Sequence, residues 1–166
     1  MKYKKYLIIG IPILFIIGSI FHFIYEWSGN NFFIGLISPI NESIWEHLKL
    51  VLLPMTTYWL IYIPLSKNTN QEKWFFSLFL SLITSMLTII SFYYTYTGVF
   101  GIESLILDMF SLLLGISIGH LIGIHYYTYG KAIPKYLSIS LIIILFIIFI
   151  SFTLAPPNLP IFKSLN

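Results

Sequence analysis

Long apolar runs separated by short polar breaks make up nearly all of this chain. A helix that crosses about 30 Å of hydrocarbon needs about 20 largely apolar residues. Five stretches meet that length, at 6–27, 43–65, 73–97, 103–129 and 136–155. Lys67-Asn68-Thr69-Asn70-Gln71-Glu72 is a polar loop and Gly130-Lys131 opens another. The break at Gly98-Val99-Phe100-Gly101 is short and uncharged, which predicts a tight turn. Pro156-Pro157-Asn158-Leu159-Pro160 cannot continue a helix. The pattern predicts an all-α integral membrane bundle of five transmembrane helices, one domain over 1–166.

Residues 28–42 join the first two helices. Ser28-Gly29-Asn30-Asn31 reads as a turn. Phe32-Phe33-Ile34-Gly35-Leu36-Ile37 is too apolar for a free loop and too short to span, so it lies in the interface or dips back over the bundle. Two periodic stripes mark packing faces. Ser111, Gly115, Gly119 and Gly123 recur every four residues, and small residues at that spacing let backbones approach closely in lipid. This face is suited to packing inside the bundle or against a second copy or another membrane subunit. Ser77, Ser81, Thr84, Thr88, Ser91 and Thr95 line one face of the third helix at helical period. Hydroxyls bonded to their own backbone are the simplest account of them; a polar wall along a path is the other.

Composition agrees with the lipid setting. The chain is 58% hydrophobic and 9% charged, against roughly 25% charged in soluble domains. Its mean hydropathy is +0.90. The bilayer is therefore its main partner. There is no cysteine, which excludes disulfides and thiolate metal sites. All nine basic residues are lysine. They are spread between segments and form no basic face, so nucleic acid is not expected. The start resembles a signal peptide, but no Ala-x-Ala follows, and the first segment reads as a retained helix. With the N-terminus inside, Lys2, Lys4, Lys5, Lys67, Lys73, Lys131 and Lys135 lie inside and only Lys49 and Lys163 outside. This lysine bias predicts a multi-pass protein of the cell membrane with an outer C-terminus.

The chemistry concentrates near the predicted outer end, where five of six acidic residues lie: Glu26, Glu42, Glu46, Glu103 and Asp108. Ionisable groups at membrane depth are costly and need partners or a role. His22 and Glu26 are four apart on the first helix. Glu42 and Glu46 are four apart at the start of the second, with Lys49 on the same face. Asp108 shares the Ser111/Gly115 stripe and so points inward. Counting rise per residue puts all of them at one depth. A histidine with carboxylates suits a divalent metal ion, and equally a shared proton or general acid–base chemistry. The expected metal ligands are His22, Glu26, Glu46 and Asp108. The wider ligand-binding set adds Asn41 and Glu42. Competing roles exist for several. Asn41 or Ser43 suits an N-cap, Ser43-Ile44-Trp45-Glu46 fits a capping box, and Glu46 has Lys49 as a pairing partner. His47 points away from the Glu42/Glu46/Lys49 face and reads as interfacial, as does His125. His120 lies off the small-residue stripe. No hydrolase, P-loop or dinucleotide motif is present.

The stretches His22-Phe23-Ile24-Tyr25-Glu26-Trp27-Ser28-Gly29-Asn30 and Ser38-Pro39-Ile40-Asn41-Glu42-Ser43-Ile44-Trp45-Glu46-His47-Leu48-Lys49 resemble those of a bacterial family of small multi-pass membrane proteins, a domain of unknown function. The resemblance implies an integral membrane protein and supplies no activity. Three classes remain open. One is a binding or transport-related protein holding a cation, proton or cationic ligand. The second is an accessory or oligomeric structural subunit. The third is a membrane-embedded, metal-dependent enzyme acting at the outer leaflet.

Overall fold

The computed structural model describes residues 2–66 and 69–163. Every regular element among them is helical: α1 Lys2–Phe21, α2 Ile24–Trp27, α3 Phe32–Gly35, α4 Ile44–His47, α5 Lys49–Leu65, α6 Gln71–Phe100, α7 Leu105–Tyr129, α8 Lys135–Leu154, and a 3₁₀ turn at Pro160–Phe162. Among the described residues five helices are long and apolar enough to cross a membrane, counting α4 and α5 as one from Ile44 to Leu65. This is a membrane protein. Lys67, which carries part of the expected inner charge, lies outside the described residues.

The helix ends fall into two groups. One holds Lys2, Lys73, Lys131 and Lys135, with Tyr3 bonded to Thr128 at 3.0 Å and Lys135 to Gln71 at 3.4 Å. The other holds five of the six acidic residues, with Trp45 of α4 stacked on Phe149 of α8 at 4.4 Å. The elements differ from the sequence reading where the backbone turns. The first helix does not run unbroken to Trp27; a turn at His22–Phe23 separates α1 from α2. Gly29 and Asn30 then take left-handed backbone, φ 69° and 59°, in the expected turn. The third helix runs on to Phe100 and ends at Gly101, whose φ of 64° gives a left-handed cap.

The small-residue stripe of α7 packs on α6 of the same chain. A Cβ on Gly115 would sit 2.8 Å from Ile89 and 2.9 Å from the Ser85 carbonyl oxygen. One on Gly119 would collide with the Ser85 side chain, and one on Gly123 with that of Ser81. The face considered for a second subunit is thus covered from within. The hydroxyls of Ser77, Ser81, Thr88 and Thr95 bond carbonyls one turn back on α6. Ser77 and Ser81 are buried in packing, while Thr88 is half-buried and Thr95 exposed, their hydroxyls satisfied by the backbone of their own helix.

α1 meets α5 along a row four residues apart. Tyr6 and Tyr58 each donate a hydroxyl to the other's carbonyl, at 2.8 and 2.7 Å. Gly10 lies under the Tyr58 ring. Pro54 lacks an N–H, so the Leu50 carbonyl has no helical donor. Gly18 approaches it closely; a Cβ there would stand 3.2 Å from that oxygen. The next residue in this row is His22.

Candidate functional site

His22 closes α1 and reaches the start of the second membrane helix. Its Nε2 lies 3.0 Å from Nε2 of His47 and 3.5 Å from Oε2 of Glu42. His47 Nε2 is 3.2 Å from the same oxygen. Three metal-ligating atoms therefore converge on one point. The close approach at Gly18 brings His22 there. Its Nδ1 is buried with no hydrogen-bond partner among the described residues, so packing aims this ring, with Phe23 at 5.0 Å. His47 sits at the end of α4, and its ring faces the Ser43 carbonyl. Glu42 lies in the preceding turn, where Asn41 Oδ1 accepts from the Ser43 N–H at 2.9 Å. The histidine side chains are about a quarter exposed and that of Glu42 is 60% exposed.

The three groups border a cavity of about 170 Å³. Leu50, Ile89 and Leu112 line its apolar part, and Asp108, Tyr93 and Ser111 add polar groups. Asp108 is held by Tyr96, whose hydroxyl donates to Oδ1 at 2.6 Å. It is near enough to act electrostatically on His47.

The expected residues divide. His22, Glu42 and Asp108 share the cavity. Glu46 does not line it. Its Oε2 takes the Lys49 ammonium at 2.7 Å and the Ile40 N–H at 3.1 Å, and its Oε1 takes the Thr153 hydroxyl at 3.0 Å. Lys49 also donates to the carbonyls of Gly35 and Ser38, at 2.8 and 3.2 Å. The Glu46 and Lys49 side chains are buried, and their bonds tie the folded-back segment 31–40 to α4, α5 and α8. Pairing with Lys49, weighed from the sequence, is the role Glu46 takes. Glu26 is exposed on α2 and outside the cavity, because the turn at His22–Phe23 breaks the four-residue register that would have paired them. Asn41 caps a turn.

The residue the sequence reading set aside is His47. Helical-wheel counting from Glu42 placed it on another face. Glu42 precedes the helix, however, and Ser43 is the N-cap, so that counting does not apply. The capping-box pattern was the available signal: it puts the helix start at Ser43 and Glu42 outside the helix. His120 is fully buried near Trp59, ring centroids 5.9 Å apart, and does not line this cavity. His125 is exposed beside Tyr129.

A tetrahedral zinc bound at about 2.0–2.1 Å holds its ligand atoms about 3.3–3.4 Å apart. The separations of 3.0, 3.2 and 3.5 Å bracket that edge. Two imidazoles and a carboxylate form a borderline-soft donor set suited to zinc and similar ions. Three protein ligands leave a fourth position free. Neither a curated protein nor a solved structure matches the chain. The family match covers the whole site along with the rest of the bundle: residues 1–165 fit one family model, and the chain belongs to the family of unknown function DUF6512.

Proposed function

We propose that this protein binds a divalent transition-metal ion, with zinc the best fit, through His22, Glu42 and His47 at the outer end of a bundle in the cell membrane. The observation that carries this reading is the triangle of ligand atoms, 3.0–3.5 Å on each side. The exposed Glu42 carboxylate supplies a route for the ion from water. Leu50, Ile89 and Leu112 line the same cavity, and Ile116 is buried a turn further along α7. The residues support binding more than passage through the bundle.

Elemental analysis of protein purified in mild detergent tests the reading. About one zinc per chain is expected in the wild type and in Glu26→Gln, and none in His47→Ala. A second reading rests on the His22–His47 separation, since 3.0 Å is also a hydrogen-bond length. In that case the histidines share a proton and lock two helices, and wild-type protein given zinc retains none. The outer placement rests on the lysine bias. A reporter fused after Asn166 is expected outside and one in the loop 67–72 inside. A C-terminal reporter found inside overturns the placement.

A further inference from the structure

The cavity beside His22, Glu42 and His47 does not end at the bundle surface. Ser19, Phe23 and Met109 line it, and the same three residues line a second, almost entirely apolar depression of about 430 Å³. Phe15, Ile16, Ile20 and Trp27 also line that groove; Ile16, Ile20 and Trp27 form its open side. They are 57%, 48% and 70% exposed and face out from α1 and α2. In a membrane this face meets acyl chains.

The two spaces adjoin along Ser19, Phe23 and Met109 and are taken together as one two-limbed site. Its polar end carries three convergent donors, with Asp108 as a further polar group. Its other limb is apolar and open sideways. A water-soluble ligand would need only the mouth at Glu42. A groove that leaves between α1 and α7 toward lipid suits a molecule already in the bilayer. We propose that the site takes a membrane amphiphile, whose oxygen-bearing polar group occupies the fourth position of the metal while its acyl chain leaves over Phe23 and Met109 into the groove. This rests on the metal reading above and adds the substrate class. The chemistry required is one hard or borderline oxygen donor, such as a lipid ester carbonyl or phosphate oxygen, at the end of a single chain. Hydrocarbon tails and the groove are equally apolar, so the chain gains little by leaving the bilayer. The groove's contribution is access and orientation, and the metal supplies the affinity.

The test uses full-length protein in phosphatidylcholine nanodiscs, loaded with cobalt(II) in place of zinc. Its visible absorption reports both occupancy and a change of the fourth ligand. Two probes carry the same metal-binding group: acetohydroxamate, which is water-soluble, and dodecanohydroxamate, which resides in the bilayer. Both should shift the wild-type spectrum. Ile16→Trp and Ile20→Trp fill the groove from its lipid side. Each should weaken dodecanohydroxamate at least tenfold while acetohydroxamate changes less than twofold. Ile143→Trp, on the lipid face of α8 and also about half exposed, should leave both probes as in wild type. Groove variants that weaken both probes equally, or neither, overturn lateral entry while the cobalt spectrum upholds the metal site. A wild type that takes up no cobalt overturns the metal reading, and this one with it.

Discussion

Two clusters of ionisable side chains occupy the same end of the bundle, and they are built on opposite rules. Around Glu46 and Lys49 every charge is matched. The ammonium has three acceptors, and the carboxylate accepts from Lys49, a backbone N–H and a hydroxyl. Both side chains are at most 4% exposed. Around His22, Glu42 and His47 the matching is incomplete. Three groups with spare acceptor capacity face one another, one of them largely exposed, beside a cavity. Burial alone would point to the first cluster as the functional one. Satisfaction of the polar groups points to the second. An ion pair already bonded on both sides gains little from a further ligand.

Unfolding in detergent should separate the two. Lys49→Met leaves the Glu46 carboxylate buried without its cation, which should cost about 3–5 kcal/mol. Adding Glu46→Gln should recover much of that loss. A Lys49→Met protein that melts like the wild type would erase the contrast. Gly119→Leu calibrates the scale in ordinary packing. Its side chain enters the space held by Ser85, and overpacking of this kind costs about 1–3 kcal/mol. Ile118→Leu, beside it, should be mild; equal melting of the two would mean that the α6–α7 contact is loose. Tyr96→Phe removes the hydroxyl bonded to Asp108 and should cost about 0.5–1.5 kcal/mol, with zinc retained. His47→Ala should be smallest in the metal-free protein, within about 1 kcal/mol of wild type, although it alone of these variants loses the metal. A large loss of apo stability there would make this cluster a helix lock, like its neighbour.

Much of the site was legible along the chain. Rise-per-residue counting brought His22, Glu42 and Asp108 to one depth. The small-residue stripe correctly turned Asp108 inward. The errors came from treating α1–α2 and the segment before α4 as straight helices. Glu26 was paired with His22 across a turn, and His47 was excluded by angles measured from a residue outside the helix. Local periodicity has no term for a break of two residues, yet such a break rotates everything beyond it.

The apolar runs by themselves determined the membrane class and the five helices, because no other arrangement hides so much hydrocarbon surface and satisfies its backbone in lipid. The glycine stripe determined that α7 would have a close neighbour. Only the tertiary structure decided which neighbour that was, since Ser81 and Ser85 of α6 have no sequence mark that pairs them with Gly119 and Gly123. It alone decided which carboxylate belongs to Lys49 and which to the histidines. Glu42 and Glu46 are chemically identical and four residues apart. One precedes the N-cap and stays exposed beside the histidines, while the other enters the first turn and is buried against Lys49, and that difference in backbone position sets which partners each of them meets.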